Sequence, residues 1–116
     1  MTIYRAIANH TRSYETPLVV KRGDPLSVGQ SDSEWPGWLW CVGVTGMGGW
    51  LPARVLADPD PRDGNTIAVE DFDTMELTIR AGELLQGDVG ESGWLWVTNA
   101  EGRSGWVPET TVEAVR

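Results

Sequence analysis

Apolar and polar residues alternate along this chain in short runs that lie between glycine-rich turns. Residues 26–28, 38–42, 84–89 and 94–98 form such runs, and they contain many β-branched and aromatic side chains. This pattern is typical of β-strands, and no longer stretch shows the apolar period and the caps of a helix. The chain is therefore predicted to be all-β. Strands that recur at a spacing of about ten residues favour small β-barrels.

The chain also repeats itself. The sequence Gly-Trp-Leu-Trp at 37–40 recurs at 93–96, and Gly-Trp-Leu-Pro at 49–52 recurs as Gly-Trp-Val-Pro at 105–108. The spacing between the two motifs is the same in both copies. A set of Trp, Gly and Pro residues that recurs at fixed spacing indicates a duplicated unit.

The duplication predicts two domains, at 1–57 and 66–116, which we call the first repeat and the second repeat. Residues 58–65 between them contain two prolines, several acids and a Gly-Asn pair. Proline favours an extended chain, and a Gly-Asn pair suits a solvated turn. The segment is predicted to be a short and fairly stiff linker.

The order of motifs in each repeat resembles that of SH3 domains. An opening strand, at 6–10 and again at 68–72, precedes a turn with the pattern apolar-x-x-Gly-acid at 20–24 and 79–83. The Trp motif and the Gly-Trp-apolar-Pro motif then follow in both copies. The resemblance covers nearly the whole chain except the linker, and it implies an all-β protein of two SH3-like small β-barrels in tandem. It also implies a non-enzymatic interaction module that binds an extended peptide segment of another protein.

SH3 domains bind proline-rich segments in a groove lined by aromatic residues, a Trp and a Pro, beside acids that attract Arg or Lys. In the first repeat the resemblance places this groove on Trp38, Pro52, His10, Glu15, Asp32, Glu34 and Val55. In the second repeat it places the groove on Trp94, Pro108, Phe72, Asp73, Glu76, Glu91 and Thr111. Most tyrosines of the family's groove are replaced in both repeats, so weak binding of a standard PxxP ligand is expected. A ligand Arg stacked on an indole near carboxylates would gain about 0.5–2 kcal/mol.

The charge composition narrows the choice of partner. The chain contains 9 Lys+Arg and 17 Asp+Glu in 116 residues, a formal net charge of −8, and this net charge lies in the second half. Nucleic acid and an anionic membrane face are therefore not expected as partners. We expect a protein or peptide partner, and the sequence leaves the oligomeric state open.

Catalytic and metal chemistry are not expected from this sequence. His10 is the only histidine and Cys41 is the only cysteine, so no set of ligands or nucleophilic dyad converges and no intrachain disulfide forms. Cys41 is expected to be a buried strand residue. No phosphate-loop spacing is present and no cofactor is expected. The first residues lack an apolar signal core, so a cytoplasmic location is expected.

Three other functions stay open at this point. In the first, the two repeats pack their Trp faces together and the protein is structural. In the second, the chain is an accessory subunit that caps an enzyme. In the third, it is a cell-wall-binding module of the bacterial SH3-like type, which would require export. Trp35 has no counterpart in the second repeat, and it is either a contact residue for a partner or a lid on the neighbouring unit.

Overall fold

A computed structural model describes residues 2–115, and within this range the chain is all-β, as predicted. The strands are β1 Thr2–Ala6, β2 Val19–Val20, β3 Pro25–Ser31, β4 Trp38–Gly43, β5 Gly48–Pro52, β6 Asn65–Ile67, β7 Phe72–Asp73, β8 Leu84–Glu91, β9 Trp94–Thr98, β10 Ser104–Pro108 and β11 Val112–Ala114. Two single-turn 3₁₀ helices lie at Ala53–Val55 and Glu109–Thr111. Between residues 2 and 115, no helix has the length and apolarity needed to cross a membrane.

The strands form two compact units whose boundaries do not follow the two repeats. One unit is Pro17–Thr74, which we call the continuous unit. The other unit, the split unit, combines Met1–Thr16 with Met75–Arg116. The chain therefore begins in the split unit, passes through the continuous unit, and returns to the split unit. This division differs from the expected domains at 1–57 and 66–116, because both crossing points fall inside a repeat.

The split unit contains a five-stranded antiparallel sheet in the order β10-β9-β8-β1-β11. Strand β1 lies between β8 and β11, so that Tyr4 is opposite Leu85 on one side and Ala114 on the other. The Tyr4 ring covers the backbone at Gly87, where any Cβ would collide with it. The core of the unit is formed by Ala6, Leu77, Ile79, Leu85, Leu95, Val97, Val107 and Val112. Thus a strand from the first repeat completes a sheet of the second repeat.

The continuous unit contains a four-stranded antiparallel sheet in the order β5-β4-β3-β6 and a two-stranded sheet of β2 and β7. Strand β6 begins at the last residue of the segment 58–65 and continues into the second repeat. It pairs with β3 of the first repeat, in a register that places Thr66 opposite Leu26. The buried apolar residues of the continuous unit are Leu18, Val20, Leu26, Trp38, Cys41, Leu51, Val55, Leu56, Ala68 and Phe72. The two repeats have therefore exchanged their opening strands.

The segment expected to be a linker, residues 58–65, lies within the continuous unit. The Gly64 N–H donates to the Asp60 carbonyl at 2.7 Å, and the Gly64 carbonyl accepts from the Val28 N–H at 2.9 Å. Gly64 has a φ of +76°, which a residue with a side chain rarely adopts. The segment is a closed turn that leads directly into β6, so the prolines mark a turn and not a boundary between the two compact units.

Candidate functional site

The residues expected to form two grooves are regrouped by the strand exchange. The continuous unit holds Trp38, Pro52, Asp32, Glu34, Val55, Phe72 and Asp73. The split unit holds Trp94, Pro108, His10, Glu15, Glu76, Glu91 and Thr111. The expected grooves therefore differ from the structure at four positions: His10 and Glu15 do not lie in the unit of Trp38, and Phe72 and Asp73 do not lie in the unit of Trp94. The physical reason is that each opening strand pairs with the other repeat.

Trp94 is the first residue of β9, where the strand registers place it opposite Pro108 on one side and Glu91 on the other. Its side chain is partly exposed. The His10 ring meets the Trp94 ring edge-on, with the centroids 5.5 Å apart and the planes at 79°. The Thr111 hydroxyl donates to the Pro108 carbonyl at 2.6 Å and closes the 3₁₀ turn beside it. An aromatic face and a proline thus lie together at one edge of the split unit.

The Glu76 carboxylate fixes the orientation of His10. Glu76 is buried, with 7% of its surface exposed, and its Oε1 atom lies 2.9 Å from His10 Nε2. The same oxygen accepts hydrogen bonds from the Ser13 N–H at 3.2 Å and from the Ser13 hydroxyl at 3.1 Å. Because a buried carboxylate is costly unless it is hydrogen-bonded, these donors hold Glu76 in place. Glu76 therefore positions His10 against Trp94, a role that the sequence did not reveal.

Trp38 lies in the equivalent place of the continuous unit but is enclosed. It is opposite Pro52 on β5, and only 5% of its surface is exposed. The Phe72 ring meets it edge-on at a centroid distance of 6.0 Å and an angle of 64°. Val55, which was expected to line the groove, is fully buried. The indole of Trp38 is thus less accessible than that of Trp94.

The acids expected beside the two tryptophans differ in their roles. Glu15, Glu34 and Asp73 are exposed. The Asp32 carboxylate accepts hydrogen bonds from the Glu34 N–H at 2.8 Å and from the Trp35 N–H at 3.0 Å. Asp32 therefore shapes the loop before β4, since its side chain replaces a backbone acceptor in that turn.

Two further polar residues stabilise the opening motifs and were missed in the sequence. The Asn9 side-chain oxygen accepts from the Ala81 N–H at 2.8 Å, and the Asp71 carboxylate accepts from the Arg22 N–H at the same distance. Asn9 immediately precedes His10, and Asp71 immediately precedes Phe72, the ring that contacts Trp38. A signal was present, because an oxygen-bearing side chain occurs at this place in both repeats.

Two observations concern metal-ligating side chains and the thiol of Cys41. Between residues 2 and 115, no three His, Cys, Asp or Glu side chains are grouped to hold a metal ion. Cys41 is buried in β4, as expected, and burial raises the pKa of its thiol to about 11. The thiol is therefore protonated at neutral pH and is a poor nucleophile.

The chain was compared with models of protein families. The family model described as the variant SH3 domain matches residues 3–58, slightly less than half of the chain. Of this range, residues 3–16 lie in the split unit and 17–58 in the continuous unit. SH3 domains generally bind protein or peptide partners, and the match indicates a protein-interaction module. No curated protein and no solved structure matches the chain.

Proposed function

We propose that the chain is a non-enzymatic interaction module made of two SH3-type barrels, and that it binds an extended peptide with an Arg or Lys side chain. The family match over 3–58 and the internal repeat support a second SH3-type copy. The backbone hydrogen bonds of the two opening strands also support a second copy, because the same pattern of bonds occurs in both units. The backbone of Ala6 bonds to residues 82–83 at 2.8 Å, and that of Ala68 bonds to residues 23–24 at 2.7 and 3.0 Å in the same pattern.

The binding site of the proposed module is the Trp94 face of the split unit. We choose this face because the two equivalent tryptophans differ in solvent exposure: Trp94 is partly exposed, whereas Trp38 is only 5% exposed. A ligand needs an accessible indole for stacking. The Phe72 ring and the enclosed Trp38 suit a structural role in the continuous unit.

The chemistry around Trp94 favours a basic side chain over a purely proline-rich ligand. Glu91 is opposite Trp94 on β8, and Glu109 lies nearby, since a Cβ on Gly90 would be 3.1 Å from its Oε1 atom. Carboxylates beside an indole favour an Arg or Lys above the ring, with a gain of about 0.5–2 kcal/mol. His10 and Thr111 stand where the family has tyrosines, so little aromatic surface remains for stacking prolines.

A matched pair of variants tests this proposal. The indole N–H signals of the tryptophans are followed by NMR while a proline-containing peptide with one Arg is added to the full chain. We expect the Trp94 signal to shift, and we expect Trp94→Phe to weaken binding about tenfold while Trp38→Phe leaves it unchanged. Equal effects of the two substitutions, or equal binding of a peptide with Glu in place of Arg, would refute the proposed site.

A structural or accessory-subunit role is the second candidate. The burial of Trp38 and Phe72 favours it for the continuous unit. If no peptide in a broad screen shifts the Trp94 signal, while the chain copurifies in a fixed ratio with one larger protein, the accessory-subunit role is preferred over the peptide-binding module.

A further inference from the structure

A second concave surface of the split unit is lined by arginines. It is a cleft of about 730 Å³ between the segment 75–78, the turn at 80–83 and the hairpin turn at 99–104. Arg12, Arg80 and Arg103 line it together. Neither Trp94 nor Pro108 is among its lining residues, so it is separate from the face proposed above.

These three arginines differ from Arg54 and Arg62 in their pairing. Arg54 and Arg62 each have a guanidinium nitrogen 2.9 Å from a carboxylate oxygen. In the part of the chain that the structure describes, no carboxylate lies within the 4.0 Å ion-pair distance of the guanidinium groups of Arg12, Arg80 and Arg103. Their charges are available to a ligand.

The backbone holds the arginines in fixed places around the cleft. The Arg12 N–H donates to the Thr78 hydroxyl at 3.1 Å, and the Arg103 N–H donates to the Asn99 side-chain oxygen at 2.9 Å. These two arginines, and Arg80 through its N–H bond to the Glu83 carboxylate, thus start from ordered backbone positions. A site whose backbone is already ordered loses less conformational entropy when it binds a ligand.

Two of the three acids along the cleft are occupied by hydrogen bonds inside the unit. The Glu83 carboxylate accepts from the Arg80 N–H at 3.0 Å, and the Glu76 carboxylate accepts from His10 and Ser13. The third acid, Glu101, lies exposed on the hairpin turn. None of these three acids forms an ion pair with the guanidinium groups that line the cleft.

The equivalent surface of the continuous unit provides an internal comparison. Between its corresponding turn and its β4–β5 hairpin lies a smaller cleft of about 180 Å³, lined by residues 18–20, 24–26 and 43–45. This lining contains no arginine, and Val44 is 82% exposed. The arginines are therefore a property of the split unit and not of the repeated fold.

We propose that the arginine cleft binds an oxyanion carried by a peptide, either a phosphate on a side chain or two adjacent carboxylates. Guanidinium groups bind both through paired, charge-assisted hydrogen bonds. The formal net charge of −8 repels long polyanions, which favours one compact anionic group on a peptide over nucleic acid or an anionic membrane. The site differs from the Trp94 face in its charge preference, although Glu76 lines the cleft and also holds His10 against Trp94.

NMR titration of the full chain identifies the site and the source of the oxyanion. The probes are a phosphoserine peptide, the same peptide with two adjacent glutamates in place of phosphoserine, and the unmodified peptide. We expect amide signals of residues 12, 78–80 and 99–104 to shift with the first probe and not with the third. Equal binding of the second probe assigns the site to paired carboxylates. Shifts elsewhere, or none with either anionic probe, would overturn the proposal.

Charge-matched variants separate a built site from general electrostatics. The double substitution Arg80→Gln and Arg103→Gln keeps both backbone N–H donors and should weaken binding of the anionic probe by about tenfold or more. The control, Arg22→Gln with Arg62→Gln, removes the same charge from the continuous unit and should leave binding unchanged. Equal loss in both pairs would contradict a specific cleft. Trp94→Phe should not affect this probe, so failure here is distinct from failure at the Trp94 face.

Discussion

His10 packs edge-on against Trp94 with the ring centroids 5.5 Å apart, although the two residues belong to different repeats. Phe72 and Trp38 form the reciprocal pair at 6.0 Å. Both pairs arise because each opening motif joins the sheet of the other repeat. The backbone bears this out, since His10 bridges to Ile79 while Phe72 is opposite Val20. The exchange therefore decides which residues can act together at either tryptophan.

The exchange predicts which fragments of the chain fold. A fragment of residues 17–74 contains every strand of the continuous unit and should fold by itself. A fragment of residues 1–57 lacks β6 and Phe72, so its β3 edge and Trp38 lose their partners and it should remain largely unfolded. Dispersion of NMR amide signals and cooperative urea unfolding distinguish the two. Cooperative folding of 1–57 with 17–74 unfolded would show that the repeats are independent domains.

The hydrogen bonds of Glu76 predict a strong energetic coupling with His10. Glu76→Ala removes the acceptor of the partly exposed His10 and of Ser13, and the loss of each such hydrogen bond costs about 0.5–1.5 kcal/mol. A double-mutant cycle of His10→Ala and Glu76→Ala should give a coupling of about 0.5–3 kcal/mol in urea unfolding. Glu113→Ala, an exposed substitution in the same unit, should change stability by less than about 0.5 kcal/mol. Additive effects of the first two substitutions would argue against the bond.

Close backbone packing predicts a different result for two strand glycines. A Cβ on Gly105 would lie 2.7 Å from the backbone nitrogen of Leu77, which cannot move aside easily. A Cβ on Gly29 would have its nearest neighbour, the Trp40 carbonyl oxygen, at 3.4 Å. Gly105→Ala should therefore lower the free energy of unfolding by about 2–3 kcal/mol, and Gly29→Ala by less than about 1 kcal/mol. Urea denaturation of both variants measures the difference, and equal stability would contradict the packing described around Gly105.

The buried thiol of Cys41 predicts a loss of stability at alkaline pH. Burial raises its pKa from 9.0 to about 11, so the folded state holds the proton more tightly than the unfolded state. The contribution of the protonated thiol to the free energy of unfolding is complete below pH 9 and is lost as the pH rises toward 11. The expected loss is about 2 kcal/mol, since one pKa unit corresponds to about 1.4 kcal/mol. Urea unfolding at pH 8.5 and 10.5 should show a smaller loss for Cys41→Ala than for the parent chain, and equal losses would contradict the assignment.

The sequence predicts the strands better than their partners. The Trp motifs become β4 and β9, and Trp38 and Trp94 lie opposite Pro52 and Pro108, since alternation and spacing are local properties. The sequence does not decide whether β1 pairs with β3 or with β8, because β3 and β8 have similar patterns of apolar and polar residues. The role of Glu76 depends on burial and on Ser13 reaching it, which a sequence pattern does not specify. The exposure of Trp94 was unpredictable for the same reason.

The most direct test of the exchange is a measurement of nuclear Overhauser effects between aromatic side chains of the intact protein. The exchange predicts cross-peaks between the His10 imidazole and the Trp94 indole, and between the Phe72 ring and the Trp38 indole. Two independent repeats would instead give cross-peaks between His10 and Trp38 and between Phe72 and Trp94. The first pattern establishes that each unit is completed by the other repeat's opening motif. The second pattern would contradict the exchange and the assignment of His10 to the Trp94 site.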